Sequence, residues 1–233
     1  MPQTNPASDP PNFRGVIFDL DGTLLDTLGD IAGAANAVLT QHGFPTHPVS
    51  AYRAFVGDGV QILLKRALPE AARDPVTLQE CMKTMQVEYL RHLNQTARPY
   101  PGLPEVLEQL KSRGLRLAVL SNKPDEFTAR CVQDFFGPDL FAPILGLHPN
   151  RPRKPDPAGA RLIAEAWKCA PEEILYVGDS GTDMETAVAG GMFPLGVLLG
   201  YRDEAELRRA GAKWLISKPL EILECIDRGR AQG

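Results

Sequence analysis

The chain of 233 residues is 43% hydrophobic and 23% charged, which is enough apolar material for one large domain or for a domain with an insert. Its formal net charge of −4 argues against nucleic acid as the main partner, although small anionic substrates stay open because the local field matters more than the total. No apolar run approaches the roughly 20 residues that a membrane span needs. The four cysteines are scattered and lack CxxC spacing, so we expect reduced thiols and a cytoplasmic location.

A polar, proline-containing segment at residues 1–12 is predicted to form a loose tail. The apolar strand that follows runs directly into Asp19 and Asp21. Because side chains alternate along a strand with a period of two, both carboxylates leave it on the same side. Two like charges so close together need a cation, a shared proton or solvent, and a divalent metal meets that need. The local alternative is a solvated turn in which Asp and Gly serve only turn formation.

Residues 25–98 show helical periodicity and no strand-like alternation. Four helices are predicted there, from Leu28 to Leu39, around Tyr52 and Phe55, after Gly59, and from Val76 to Leu93. A stiff Pro-Tyr-Pro-Gly segment at 99–102 closes this stretch. We therefore predict a helical cap domain at 25–98, inserted into a core domain made of 13–24 and 99–233.

Strands and helices alternate from residue 103 onward. Helices are predicted at 104–113, 124–136, 157–167 and 182–189, and strands at 115–120, 143–147, 174–177, 195–198 and 214–216. This alternation predicts an α/β fold, in which a Rossmann-like parallel sheet carries helices on both faces and the all-α cap is an insert. Ligands in such folds bind at the carboxyl ends of the strands.

Polar side chains follow three of the apolar strands and are therefore expected to share that edge of the sheet. They are Asp19 and Asp21, then Ser121 and Asn122, then the segment from Asp179 to Asp183. Convergent carboxylates would hold a hard cation, most simply Mg²⁺. Mg²⁺ beside a free carboxylate suits phosphoryl transfer through an aspartyl-phosphate that water later cleaves. Lys154, on the loop before a helix, would neutralise phosphoryl oxygens together with Ser121.

Four motifs in this order resemble those of the haloacid dehalogenase superfamily phosphatases. They are Asp19-Leu20-Asp21-Gly22-Thr23, Ser121-Asn122, Lys154-Pro155-Asp156-Pro157 and Gly178-Asp179-Ser180-Gly181-Thr182-Asp183. The helical insert directly after the first motif resembles the C1-type cap of that family. The resemblance covers nearly all of the chain after the tail, and it implies an enzyme that hydrolyses phosphoric monoesters.

The resemblance also implies a role for each matching residue. Asp19 would be the nucleophile, and Asp21 would protonate the leaving group and then activate water. The implied Mg²⁺ site consists of Asp19, the backbone carbonyl of Asp21 and Asp179, with Asp183 close by or holding a metal-bound water. The implied phosphate contacts are Ser121, Asn122 and Lys154, and Lys154 would also pair with the Asp19 carboxylate.

Each of these residues has a plainer local explanation. Ser121 and Asn122 could cap a helix that starts near Pro124. Lys154 could be a solvated loop lysine, and Arg151 and Arg153 are rival cations beside it. An acid at position 183 could simply favour the helix dipole in the first turn of a helix.

The cap sequence around residues 55–68 resembles that of phosphoglycolate phosphatases. Gly57 and Gly59 would let backbone N–H groups approach a small anion, although a tight turn between helices explains them equally well. Arg66 could reach a substrate carboxylate, or it could be a solvated or helix-pairing arginine. Asp58 is unfavourable beside a site for an anionic substrate unless its carboxylate points away from that site. The expected partner is thus a small phosphorylated metabolite, with 2-phosphoglycolate as the first candidate, while the sequence leaves the oligomeric state open.

Other functions are consistent with parts of the same pattern. A pyrophosphatase, a sugar-phosphate phosphatase or a phosphomutase of the same family would use the same core residues. A signalling receiver domain also gathers carboxylates, a hydroxyl and a lysine at strand ends. Receiver domains, however, are about half this length and lack a helical cap. The presence of a cap favours an enzyme, because a cap excludes bulk water during turnover.

Overall fold

The computed structural model describes residues 10–231, so most of the predicted tail, residues 1–9, lies outside the described part. Pro10, which the sequence assigns to that tail, is buried. The carbonyl oxygen of Pro11 lies so close to Gly229 that a Cβ on this glycine would overlap with it. The last residues of the predicted tail therefore pack against the final helix.

The described chain contains eight strands and ten α-helices. The strands are β1 (Gly15–Phe18), β2 (Leu25–Asp26), β3 (Arg98–Pro99), β4 (Arg116–Pro124), β5 (Ile144–Leu147), β6 (Ile174–Gly178), β7 (Phe193–Val197) and β8 (Trp214–Ile216). The helices are α1 (Leu28–Gln41), α2 (Tyr52–Phe55), α3 (Val60–Ala67), α4 (Pro75–His92), α5 (Leu103–Ser112), α6 (Asp125–Phe136), α7 (Ala158–Trp167), α8 (Gly181–Gly190), α9 (Glu204–Arg209) and α10 (Glu221–Arg230). None of the helices within residues 10–231 is long and apolar enough to cross a membrane.

Six strands form one parallel sheet in the order β5-β4-β1-β6-β7-β8. The chain builds β4 and β5 on one side of β1 and then returns to build β6, β7 and β8 on the other side. The strand order therefore reverses beside β1, and crevices at such a reversal bind ligands in open α/β sheets. The predicted α/β fold with a parallel, Rossmann-like sheet is confirmed.

The central strands are apolar throughout because helices cover both faces of the sheet. All residues of β1 and β6 are buried. On one face Ile17 and Tyr176 belong to an apolar cluster with Ile163 and Trp167 of α7. Gly15 leaves room for Trp167, since a Cβ at this glycine would overlap with the indole ring.

The second strand of the core differs most from its sequence prediction. It was expected to end at residue 120, but β4 continues to Pro124. Between the pairs Leu120–Leu145 and Pro124–Leu147, β4 advances four residues while β5 advances two. The irregularity lies in Ser121-Asn122-Lys123, and such a bulge turns side chains away from the regular pleat.

Residues 25–98 form a compact unit separate from the unit that contains the six-stranded sheet. Its helices α1 and α4 are neighbours, and Gly33 of α1 leaves room for the His92 ring of α4. The side chain of Asn36 accepts hydrogen bonds from the Tyr52 hydroxyl at 2.8 Å and from the His47 N–H at 3.0 Å. These partly buried polar contacts connect the segment around α2 to α1.

Asp30 connects α1 to the end of this helical unit. Its Oδ1 accepts hydrogen bonds from both the N–H and the hydroxyl of Thr96, each at 2.6 Å. We predict that Asp30→Ala lowers the free energy of unfolding by about 1–3 kcal/mol, because two donors lose their acceptor. Urea titration followed by circular dichroism measures the change, with Asp30→Asn, which keeps one oxygen, as the milder control. Equal losses for the two variants would contradict this account of the contact.

Candidate active site

Three strands deliver polar side chains to one edge of the sheet. Asp19 follows β1, where its N–H donates to the carbonyl of Val177 at 2.9 Å, and Asp179 follows β6. Ser121 and Asn122 lie within the bulged part of β4 and are buried. Because parallel strands end at the same edge, the backbone alone brings these groups together.

Asp19, Asp179 and Asp183 form a cluster of buried carboxylates with oxygens that all lie within 4.8 Å of one another. Burial raises the pKa of Asp19 to about 7, and Asp183 adds to the effect while Lys154 opposes it. Burial also raises the pKa of Asp179 well above its usual range, with Asp183 and Asp19 acting in the same direction. The cluster is thus short of positive charge when all three groups are ionised.

Lys154 lies among these carboxylates and is buried. Its Nζ is 2.6 Å from Oδ1 of Asp183 and 2.8 Å from Oδ1 of Asp19, and it also donates to the carbonyl of Leu120. Burial lowers the pKa of Lys154, but the charges of Asp183 and Asp19 outweigh this and raise it well above its ordinary value. This lysine is therefore a permanent cation inside the cluster.

The neighbouring arginine at position 151 points elsewhere. Arg151 donates to the carbonyl of Gly146 and lies 3.6 Å from the Asp125 carboxylate. The cation that the described contacts place with Asp19 is thus Lys154, and a solvated loop lysine does not describe it.

Asn122 holds the backbone of Lys154 with both of its polar atoms. Its Nδ2 donates to the Lys154 carbonyl at 3.1 Å, and its Oδ1 accepts from the Lys154 N–H at 2.9 Å. Helix α6 begins at Asp125 after Pro124 with no side-chain cap, so neither Ser121 nor Asn122 caps it. The amide of Asn122 therefore fixes the loop that carries the lysine, a task that its sequence position does not reveal.

Asp183 lies in the first turn of α8, as the plainer local explanation expects, and it also contacts Lys154. Its Oδ2 accepts from the N–H and the hydroxyl of Ser180, at 3.1 and 2.6 Å, in a capping box at the start of α8. Its Oδ1 contacts Lys154. Gly178 lies so close that a Cβ there would overlap with the Asp183 side chain. The helix start thus orients the carboxylate toward the lysine.

Asp179 is held by groups from two further loops. Its Oδ1 accepts from the Thr23 hydroxyl at 3.3 Å, and its Oδ2 accepts from the Tyr201 N–H at 2.8 Å. Gly22, with a φ of +88°, and Gly200 both approach the carboxylate so closely that a Cβ on either would overlap with it. Gly200 and Tyr201 were not predicted from the sequence. The available signal was their place after β7, which ends at the same edge of the sheet as β1 and β6.

Asp21 does not belong to the carboxylate cluster. Its Oδ1 accepts a hydrogen bond from Lys123 Nζ at 2.7 Å, and the Lys123 side chain is 4% exposed. Lys123 was not predicted from the sequence. The signal that could have found it is its place directly after Ser121 and Asn122 at a strand end.

The predicted cap residues lie in the helical unit. Gly57 and Gly59 have φ values of +109° and +86°, which favour glycine, and Gly59 directly precedes α3. Arg66 donates to Oδ2 of Asp58 at 2.6 Å and to the carbonyl of Phe55 at 3.1 Å. The acid that was unexpected in the sequence is therefore the partner of the arginine.

A family model for haloacid dehalogenase-like hydrolases matches residues 16–197. The chain belongs to this family. A phosphoglycolate phosphatase of Neisseria meningitidis is 36% identical to this hydrolase over 93% of the chain and 94% of the relative. A phosphoglycolate phosphatase of Thiobacillus denitrificans is 34% identical over 83% of the chain and 87% of the relative.

Solved structures agree with the sequence relatives. The crystal structure of a predicted phosphoglycolate phosphatase from Haemophilus somnus has a TM-score of 0.85 and 28% identity, and the match covers 91% of this chain and 97% of that one. A hydrolase from Pseudomonas syringae has a TM-score of 0.74 and 26% identity, over 93% of this chain and 98% of that one. The predicted resemblance to this family of enzymes is confirmed.

The carboxylate cluster of this hydrolase fits a hard divalent cation. Oδ1 of Asp19 is buried and makes no hydrogen bond of acceptable geometry, although Lys154 lies 2.8 Å from it. The donors of the cluster are carboxylate oxygens, which Mg²⁺ prefers. Gly22 and Gly200 keep side chains away from the Asp179 carboxylate. Three buried carboxylates that share one ammonium group offer the hard oxygen donors that a cation-binding site needs.

The raised pKa of Asp19 has a consequence for the metal-free protein. At pH values between the ordinary value of 3.8 and about 7, the folded carboxyl keeps a proton that the unfolded chain has lost. Its contribution to stability is therefore complete at low pH and is lost as the pH rises through 7. We predict that Asp19→Asn weakens this fall in the free energy of unfolding.

Urea unfolding in EDTA at about pH 5 and about pH 8 measures the effect. The exposed Asp139 offers a matched control, Asp139→Asn, which should keep the wild-type pH dependence. If the free energy of unfolding fell equally for Asp19→Asn and the wild type between the two pH values, ionisation of Asp19 would not be the cause of the fall.

Proposed function

We propose that this hydrolase is a Mg²⁺-dependent phosphatase of small phosphomonoesters and that 2-phosphoglycolate is its first candidate substrate. The observation that carries the proposal is the cluster of Asp19, Asp179 and Asp183 around Lys154 at the carboxyl edge of the sheet. Carboxylates of this kind are suited to bind a cation, and the lysine among them is suited to bind a phosphoryl group. The cytoplasmic location stays part of the proposal, and it is supported by four buried cysteines that form no disulfide.

The proposed metal ligands are Asp19, the backbone carbonyl of Asp21, Asp179 and Asp183. When bound, Mg²⁺ would reduce the repulsion between the anionic nucleophile and the anionic phosphate. Asp183 is already engaged through both oxygens, by Ser180 and by Lys154, which favours a role in orienting its neighbours. Lys154 and the hydroxyl of Ser121 would bind phosphoryl oxygens, and Asn122 would keep the lysine in place.

The reaction would proceed in two steps with Asp19 as the nucleophile. A carboxylate oxygen of Asp19 forms a bond to phosphorus while the ester P–O bond breaks and Asp21 gives a proton to the departing oxygen. In the second step Asp21 takes a proton from a water molecule that attacks phosphorus. The bond between Asp19 and phosphorus then breaks, which releases phosphate, restores the Asp19 carboxylate and leaves Asp21 protonated again.

The choice of 2-phosphoglycolate rests on the relatives and on the cap. Several relatives that carry the name phosphoglycolate phosphatase are 29–36% identical over most of the chain. In the cap we assign substrate binding to Gly57 and Gly59, whose backbone N–H groups would face an anion, and to Arg66. The contact with Asp58 holds the Arg66 guanidinium in one orientation, ready for a carboxylate.

We predict steady, Mg²⁺-dependent release of phosphate from 2-phosphoglycolate. The test is a panel of phosphate esters with Mg²⁺ or EDTA that includes 2-phosphoglycolate, pyrophosphate and hexose phosphates. Asp19→Asn should abolish turnover because no nucleophile is left, and circular dichroism should show that the fold is kept. Turnover of pyrophosphate or hexose phosphates without turnover of 2-phosphoglycolate would contradict the proposed substrate. A single stable phosphorylation without turnover would indicate a receiver-like phosphoacceptor.

The cap assignment predicts a selective change in substrate affinity. Arg66→Met should raise KM for 2-phosphoglycolate by about 10-fold or more, because a charge-assisted hydrogen bond to the carboxylate is lost. KM for p-nitrophenyl phosphate, which has no carboxylate, should stay within about 2-fold of the wild type. Lys65→Met removes an exposed charge from the same helix and is the matched control. An equal change for both esters would refute the assignment of Arg66.

A further inference from the structure

Lys123 is a buried cation to which the proposed mechanism gives no task. Its Nζ donates to Oδ1 of Asp21 at 2.7 Å, and the side chains of the two residues are 4% and 19% exposed. We propose that Lys123 is a positioning residue that fixes the Asp21 carboxylate where it exchanges a proton with the ester oxygen. This inference rests on the proposed phosphatase function, in which Asp21 is the general acid and base.

The backbone around Lys123 is held on both sides. Its N–H donates to the hydroxyl of Ser121 at 3.3 Å, and its carbonyl accepts from the hydroxyl of Thr128 at 3.0 Å. These contacts lie in the bulged part of β4, which advances two residues more than its neighbour β5. The bulge turns the lysine toward the edge of the sheet where Asp21 lies, so the ammonium group starts from a fixed point.

Burial of the lysine needs a compensating anion. Ordering a lysine side chain costs rotamer entropy, and an ammonium group away from water is strongly unfavourable unless it is paired. The pair with Asp21 supplies that compensation.

The position of the Asp21 carboxylate matters for the proposed proton transfer. Asp21 lies beyond the end of β1 and directly before Gly22, whose φ is +88°. A proton donor must lie within about 2.6–3.2 Å of the atom that it protonates, and a displacement of about 1 Å lowers rates strongly. A charge-assisted hydrogen bond from Lys123 restricts the carboxylate to one position.

The two aspartates of the first motif therefore have separate lysines. Lys154 contacts Asp19 and Asp183, whereas Lys123 contacts Asp21. Nucleophilic attack and proton transfer are distinct tasks with distinct geometries. The arrangement lets each carboxylate be oriented by its own cation.

The test uses the dependence of the rate on the leaving group. The ratio kcat/KM reports only the steps up to the transfer of phosphorus to Asp19, so the common second step does not enter. Alkyl phosphates need a proton on the departing oxygen, whereas p-nitrophenol leaves readily as an anion. Lys123→Met should lower kcat/KM by about 100-fold for ethyl phosphate and 2-phosphoglycolate but by less than about 5-fold for p-nitrophenyl phosphate.

Further variants separate positioning from a structural role. Lys123→Arg, which keeps the charge and the donors, should recover part of the loss for alkyl phosphates. Asp21→Asn should show the same dependence on the leaving group. The double variant Lys123→Met/Asp21→Asn should be no slower than Asp21→Asn alone, because both changes remove one function. If Lys123→Met does not fold, Lys123→Gln is measured in the same way.

Two results would overturn the inference. An equal loss of kcat/KM for all three esters would show that Lys123 supports only the structure. A loss for 2-phosphoglycolate with ethyl phosphate unchanged would show that Lys123 binds the substrate carboxylate instead. Both results require a wild-type protein that hydrolyses the esters with Mg²⁺. If the wild type hydrolyses none of them, the proposed function fails together with the inference.

Discussion

The burial of like charges at one edge of the sheet is the constraint on which the rest of this structure depends. Asp19, Asp179 and Asp183 are 8%, 2% and 0% exposed, and burial raises the pKa of the first two. Such a cluster is unfavourable by itself, because desolvation and mutual repulsion act in the same direction. The fold tolerates it because a lysine, a helix N-terminus and backbone N–H groups surround the oxygens. Stability is thus lowered locally in favour of a site that attracts a cation.

The strand-end rule made the main part of this site predictable from the sequence. The two-residue spacing of Asp19 and Asp21 and the polar residues after two later strands indicated one shared edge. The contacts of individual side chains were not predictable in the same way. Asp19 and Asp21 leave the same turn but pair with different lysines, because one carboxylate is buried in the cluster and the other lies outside it. Alternation along a strand predicts the face to which a side chain points, but it does not predict which side chain it contacts there.

The residues and contacts that the sequence did not reveal have two physical causes. Lys123, which was missed, and the hydrogen bonds of Asn122 to Lys154 depend on a bulge in β4, which changes the direction of both side chains relative to a regular strand. Gly200 and Tyr201 act through absence of a side chain and through a backbone N–H, respectively. A bulge depends on the pairing of two strands that are distant in sequence, and a backbone contact depends on the path of a loop. Neither appears in hydrophobic periodicity, so both require the three-dimensional structure.

Pairing with an acid is a feature that Lys154, Lys123 and Arg66 share. Lys154 contacts Asp19 and Asp183, Lys123 contacts Asp21, and Arg66 contacts Asp58. The nitrogen–oxygen distances are 2.6–2.8 Å. A cation that is already paired is held in position, but it attracts a further anion less than an isolated cation would. Binding of an anionic substrate would therefore be an exchange or a sharing of partners, in which only a ligand with strong acceptor oxygens competes with the resident carboxylate. At Lys154, which has two resident carboxylates, a doubly charged phosphoryl group would compete better than a singly charged or neutral ligand.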